Sequence, residues 1–150
     1  LIQPDSNWET PRGVPALRPG EVHVWRIVLI ARPDLPQLAA AFLGSDEMAR
    51  ARRFRFDVHR ERFLAGRLAL RRLLGGYLGI GPGMVAFDYS AQGKPRLADR
   101  LGSALRFNVS NSADLALVAV TAGPEVGIDV EQLRADSDPM SVPEAFFTPA

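Results

Sequence analysis

At 150 residues the chain is long enough for one domain with a real core, or for two very small ones. It has no cysteine, which excludes disulfides, thiolate zinc sites and a cysteine nucleophile, and its net charge of +1 directs no whole-molecule field at nucleic acid or membrane. No apolar run approaches the roughly 18 residues of a membrane span, and the start LIQPDSNWETP lacks the basic and apolar regions of a secretory signal, so a cytoplasmic protein is expected.

The first 20 residues carry Pro4, Pro11, Pro15, Pro19, Gly13 and Gly20 and read as an extended arm. Residues 22–31, VHVWRIVLIA, are rich in β-branched and aromatic side chains and predict a strand, buried on both faces in its second half and stopped by Pro33 and Pro36. A short helix is predicted over 38–43, and Ser45 is placed as the N-cap of another over 46–53. The clearest element is a long helix capped by Asp57. Phe63, Leu64, Leu68, Leu70, Leu73, Leu74, Tyr77 and Leu78 recur at helical spacing, and Gly79 followed by Gly81-Pro82 ends it. Arg67 falls near this apolar stripe, where it would be either solvated or buried in a structural ion pair.

Residues 85–89 predict a short strand, Gln92 to Pro95 a turn holding the chain's only lysine, Lys94, and Arg96-Leu97 the start of another strand. Residues 99–104 read as a loop. From Phe107 the chain runs through Ser110-Asn111-Ser112, taken as a turn, into the apolar strand 115–120. It turns again at Gly123-Pro124 and returns through 126–131, so a buried hairpin is expected. Ile128 and Val130 alternate with Asp129 and Glu131, which puts both carboxylates on one face. Paired carboxylates repel unless something positive sits between them, and a hard divalent cation is the natural neutraliser. Residues 142–147 predict a further helix.

The charges are unevenly spread. Residues 50–72 hold nine of the 18 basic residues, all Arg, against Asp57 and Glu61, while residues 124–150 hold six acids against one Arg. One basic and one acidic region on a small domain suit a polyanionic ligand plus a metal. A nucleic-acid surface over the Arg/Phe stretch 50–63 is opposed by the acidic tail and the near-zero net charge, so neither a nucleic-acid nor a membrane partner is expected.

In this order, WRIVLIA, SDEMARARRFRF, RERFLAGRLALRRLLGGYL, FDYSAQGKPRL, FNVSNSADLALVAV and VGIDVEQLR resemble the 4′-phosphopantetheinyl transferases. The nearer likeness is to the large subtype that serves secondary-metabolite and broad-range carrier proteins, cyanobacterial members included. The resemblance implies an α+β fold, an antiparallel sheet packed on a long helix, forming one half of a pseudo-dimer with coenzyme A in the cleft between halves. Residues 21–150 would then be the N-terminal half-domain, following the arm 1–20, with the C-terminal half outside this chain. It implies transfer of the phosphopantetheine arm of coenzyme A to a serine of an apo acyl or peptidyl carrier protein, with Mg²⁺ (or Mn²⁺) bound.

By the same resemblance Asp129 and Glu131 are metal ligands, Lys94 touches a coenzyme A phosphate, and Pro95 lies close to the nucleotide. Ser110 and Asn111 stand where the family has Ser-His; asparagine can donate a hydrogen bond but carries no charge, so weaker coenzyme A binding is expected. Arg50 and Arg62 are the candidates for the 3′-phosphate end, guanidinium forks being suited to phosphate. The family's third acidic ligand and general base belongs to a W-x-x-K-E motif. That motif is absent from these residues and is expected after Ala150, so the chain alone is expected to be inactive. Its partner across the cleft would be its own C-terminal half or a second copy. The alternative is a non-catalytic module that binds coenzyme A or a carrier protein, as a homodimer.

Overall fold

The structure is a computed structural model that describes Trp8 and residues 11–133. The helix expected over 142–147 lies outside the described residues, and so does Ala150, the point after which the general base is expected. Three helices and five strands follow in the order β1 (Val22–Val28), α1 (Leu35–Phe42), α2 (Ser45–Ala51), α3 (Asp57–Leu78), β2 (Phe87–Tyr89), β3 (Pro95–Leu97), β4 (Leu105–Ser112) and β5 (Leu115–Ala122). The fold is α+β, with an antiparallel sheet of order β1-β5-β4 and a separate β2-β3 ribbon.

Strand β5 owes its central place to its sequence. Its run LALVAVTA is buried over most of its length, as a strand with neighbours on both edges requires. On the inner face of the sheet, Trp25, Ile27, Val118, Val120 and Phe107 meet Leu70, Leu73 and Leu74 of α3. Each fully buried aliphatic side chain here, Val118, Val120 and Leu74 among them, contributes about 1.5–3 kcal/mol. A second cluster of Leu35, Ala39, Ala51, Leu64 and Leu68 joins α1 and α2 to the first half of α3.

Several boundaries differ from the sequence reading, each for a local reason. Strand β1 ends at Val28, and the second half of the run is exposed on its outer side, not buried on both faces: Val28 and Ile30 are 52% and 63% accessible, and Val22 and Val24 of the first half are exposed too. It is an edge strand, and among the described residues the Trp8 ring stacks on that face at Arg26 while the valines stay exposed. Pro36 lies in the first turn of α1, where its missing N–H costs nothing, so it starts the helix instead of only ending the strand. The N-cap of α2 is Gly44, not Ser45; Glu47 reaches back 2.8 Å to accept the Gly44 N–H. The N-cap of α3 is Phe56, and Asp57 is its first helical residue. Gly79 closes α3 in the left-handed conformation, as expected.

Ser110, Asn111 and Ser112 are not a turn but the end of β4; Ala113-Asp114 makes the turn, with Ala113 at φ 52°. Residues 126–131 form no ladder strand, so the expected buried hairpin is absent. Their alternation survives: Val126, Ile128 and Val130 are half-buried, while Asp129 and Glu131 are exposed. The loop 99–104 begins with a short 3₁₀ turn over Asp99–Leu101. Within the arm, Val14 and Leu17 pack on the main core, so this part is anchored and not merely extended.

Candidate functional site

Helix α2, the α2–α3 connection and the first half of α3 hold the arginines, and a buried carboxylate fixes the elements that carry them. Glu47 on α2 is 2% accessible. One of its oxygens accepts from Arg67 Nε, and the other lies 2.7 Å from Arg71. Arg71 also donates to the Val85 and Pro82 carbonyls at 2.6 and 3.1 Å. The ring of Phe87 lies under both guanidiniums, 4.4 Å from that of Arg67. Arg67 is therefore a structural ion-pair residue with one edge at the surface. The helix spacing that sets Arg67 and Arg71 four residues apart brings both to one carboxylate.

Beside this clamp opens a cavity of about 510 Å³ between α3, β3 and the inner face of the sheet. Arg50, Arg62, Pro95 and Asn111 all line it, four of the expected ligand contacts gathered from four separate stretches of chain. Its floor is apolar, including Ile27, Leu29, Phe63 and Val118. Among the described residues no Asp or Glu lines it, while Arg67 and His59 add further donors. Arg50 stacks 5.4 Å from the centre of the Phe63 ring, which holds its guanidinium at the rim. A larger neighbouring cavity of about 690 Å³ shares Arg50, Phe63 and Arg67 and adds Arg53, Asp46 and Tyr89. Partial burial pushes the Tyr89 hydroxyl above its ordinary value, against the pull of Arg67.

Not every expected residue faces this space. Lys94 lies in the turn between β2 and β3 and lines a separate cavity of about 420 Å³, which shares Pro95 and adds Arg96, Arg106 and Glu125. Ser110 faces away from Asn111. Its hydroxyl donates to Asp129 Oδ1 at 2.6 Å and accepts the Val130 N–H at 3.1 Å. Ser112 accepts the Gln132 N–H at 3.1 Å. Two serine hydroxyls thus dock the acidic segment on the free edge of β4, where backbone pairing does not. This presents the carboxylates of Asp129 and Glu131 on one exposed face, a hard-oxygen donor pair that fits a divalent cation as part of a ligand set. Among the described residues, no group of three or more His, Asp or Glu side chains converges as a metal site.

The sequence reading missed Glu47, Tyr89 and Arg106. For Glu47 the available signal is its place three residues after Gly44, at the start of α2, together with the Arg67/Arg71 pair on an otherwise apolar helix face. Nothing local marks Tyr89 or Arg106.

The fold belongs to a defined class: residues 32–123 match the family described as 4′-phosphopantetheinyl transferase, N-terminal, and the chain is a member of that family. Over 130 residues it is 54% identical to the 4′-phosphopantetheinyl transferase HetI of Nostoc sp., covering 86% of this chain and 55% of HetI. A Synechocystis sp. protein that carries the same enzyme name provisionally is 36% identical over 79% of this chain and 48% of its own length. A phosphopantetheinyl transferase of Thraustochytrium sp. is 30% identical over 72% of this chain and 38% of its own. The chain thus spans about half the length, or less, of these relatives. No helix among the described residues is long and apolar enough to cross a membrane.

Proposed function

We propose that this chain is the N-terminal half-domain of an enzyme that transfers the 4′-phosphopantetheine arm of coenzyme A to a serine of an apo carrier protein. The carrier serine oxygen attacks the β-phosphorus of the coenzyme's pyrophosphate. The new O–P bond forms as the bond to the bridging oxygen breaks, adenosine 3′,5′-bisphosphate leaves, and the serine proton passes to a general base contributed by residues after Ala150. Arg50 and Arg62 would hold the 3′-phosphate, Pro95 would pack against the nucleotide, Asn111 would donate to a phosphate oxygen, and Lys94 would approach a phosphate from the neighbouring cavity. Asp129 and Glu131, steadied by Ser110, would hold Mg²⁺, which when bound offsets charge on the pyrophosphate.

The observation that carries this reading is the cavity in which Arg50, Arg62, Pro95 and Asn111 converge with no acid among its described lining. Such a concave site, apolar below and cationic at its rim, suits a nucleotide carrying phosphates. The test is a transfer assay with coenzyme A, an apo carrier protein and Mg²⁺, reading carrier mass. We expect the intact protein to modify the carrier and these 150 residues alone to leave it unchanged. Carrier left unmodified by the intact protein would overturn the assignment. A second reading, a homodimeric coenzyme A-binding module, draws support from the valines exposed on the outer face of β1 among the described residues, and sedimentation of the isolated chain tests it.

A further inference from the structure

Glu125 sits between two cations that come from different parts of the chain. Lys94 Nζ lies 3.8 Å from one of its oxygens and Arg106 Nε 3.9 Å from the other. Gly123, at φ +105° and bonded through its N–H to the Ala104 carbonyl, makes the turn that brings the carboxylate there. Both separations exceed hydrogen-bond length, and the Glu125 side chain is 81% exposed. The carboxylate is therefore held by screened attraction and exchanges readily.

The neighbouring Arg96 is different. It pairs with both Asp88 and Asp99, and its bonds to Asp99 hold the Asp99 carboxyl below its usual range. Arg106, by contrast, is anchored through one terminal nitrogen by donating to the Leu105 and Ser103 carbonyls, and Glu125 is its one carboxylate partner among the described residues. Lys94, Arg106 and Glu125 all line the same cavity.

We propose that Lys94 and Arg106 form one two-pronged site for a phosphate of the nucleotide substrate, and that Glu125 is an internal competitor which that phosphate displaces. This rests on the reading of Lys94 as a substrate contact and adds two residues to it. Displacement exchanges one anion for another at the same pair of cations, so Glu125 weakens substrate binding without touching the substrate once bound.

The test is calorimetric titration of the intact protein with coenzyme A. Glu125→Gln is expected to tighten binding about two- to fivefold, the size of an exposed ion pair. Arg106→Gln is expected to weaken it, and in the Arg106→Gln background the Glu125 substitution is expected to lose most of its gain. Asp88→Asn removes a like charge whose one cationic partner among the described residues is Arg96, and is expected to change affinity little. Equal tightening by Asp88→Asn and Glu125→Gln would mean a general field and would overturn the proposal, as would no tightening by Glu125→Gln while Lys94→Gln still weakens binding. If Lys94→Gln itself changes nothing, Lys94 is not a substrate contact and the underlying reading fails first.

Discussion

Ser110 and Asn111 are neighbours on β4 that face opposite sides of the sheet. Asn111 lines the cationic cavity, while the Ser110 hydroxyl holds Asp129 at 2.6 Å on the other side. A single strand edge thus serves two ends of the proposed reaction, the nucleotide phosphate on one face and the metal on the other. The alternation of strand side chains makes this division unavoidable once the register with β5 is set, Ser110 opposite Leu117 and Asn111 opposite Ala116.

At position 111 the neutral side chain offers a hydrogen bond but no charge. Asn111→His is expected to tighten coenzyme A binding several-fold, and the gain should grow as pH falls through about 6.5, where an imidazole becomes cationic. Calorimetry across pH 5.5–8, with Asn111→Gln as a neutral reference, checks this. A gain that is flat with pH would remove charge from the explanation.

Loss of the Ser110 hydroxyl removes the bonds to both Asp129 and Val130. Ser110→Ala is expected to lower stability by only about 1 kcal/mol, because these bonds are near solvent. Its larger effect should be a rise in the Mg²⁺ concentration needed for half-maximal transfer, with Ser110→Thr restoring it. Magnesium titration of activity distinguishes that from a purely structural loss.

Glu47 is the one carboxylate that Arg67 and Arg71 share among the described residues, and it is almost wholly buried. Glu47→Gln keeps the shape but leaves buried positive charge uncompensated, at a cost of about 3 kcal/mol. Urea denaturation monitored through the tryptophans measures it. A cost below about 1 kcal/mol would mean that the Val85 and Pro82 carbonyls suffice for Arg71.

Gly75 lies where α3 passes the backbone that follows it. A Cβ there would stand 2.7 Å from the Ile80 carbonyl oxygen, backbone that cannot move aside cheaply. Alanine would otherwise favour the helix by about 1 kcal/mol, yet Gly75→Ala is expected to destabilise by about 1–3 kcal/mol. The melting temperature should fall, against the helix-propensity trend.

Burial raises the hydroxyls of both tyrosines above their ordinary value of 10.0. For Tyr77 the Trp25 indole opposes this, bonding at 2.8 Å. A raised folded value means that the stability these groups contribute is complete below the unfolded value near 10 and is lost as pH climbs through the folded values. Absorbance titration near 295 nm should show neither tyrosine half-ionised at pH 10, and Tyr77→Phe should remove one of the two late steps.

The parts of the fold written in periodic apolar patterns are legible in the sequence. Strand β5 and helix α3 are examples, since burial dictates their spacing strongly enough in α3 to override its interior glycines. Capping was harder. A side chain three residues into α2 does the work expected of Ser45, and a glycine cap carries no mark of its own. Ser110 to Ser112 misled because serine and asparagine favour turns, while at a sheet edge the same hydroxyls can fasten another segment. Of the candidate site, Arg50, Arg62 and Asn111 are each nameable from the sequence, but not that they line one cavity. Their convergence, and the role of Glu47 some 20 residues before its partners, arise only from packing.

The outer row of β1, Val22, Val24, Arg26 and Val28, lies on a strand whose far edge is unpaired among the described residues. Such a row invites addition of further strands from other molecules. Arg26 stands in its middle as the row's one charge, stacked 5.3 Å from the Trp8 ring. A positive charge in the middle of such a row opposes stacking of one copy's β1 on another's when the chain is concentrated.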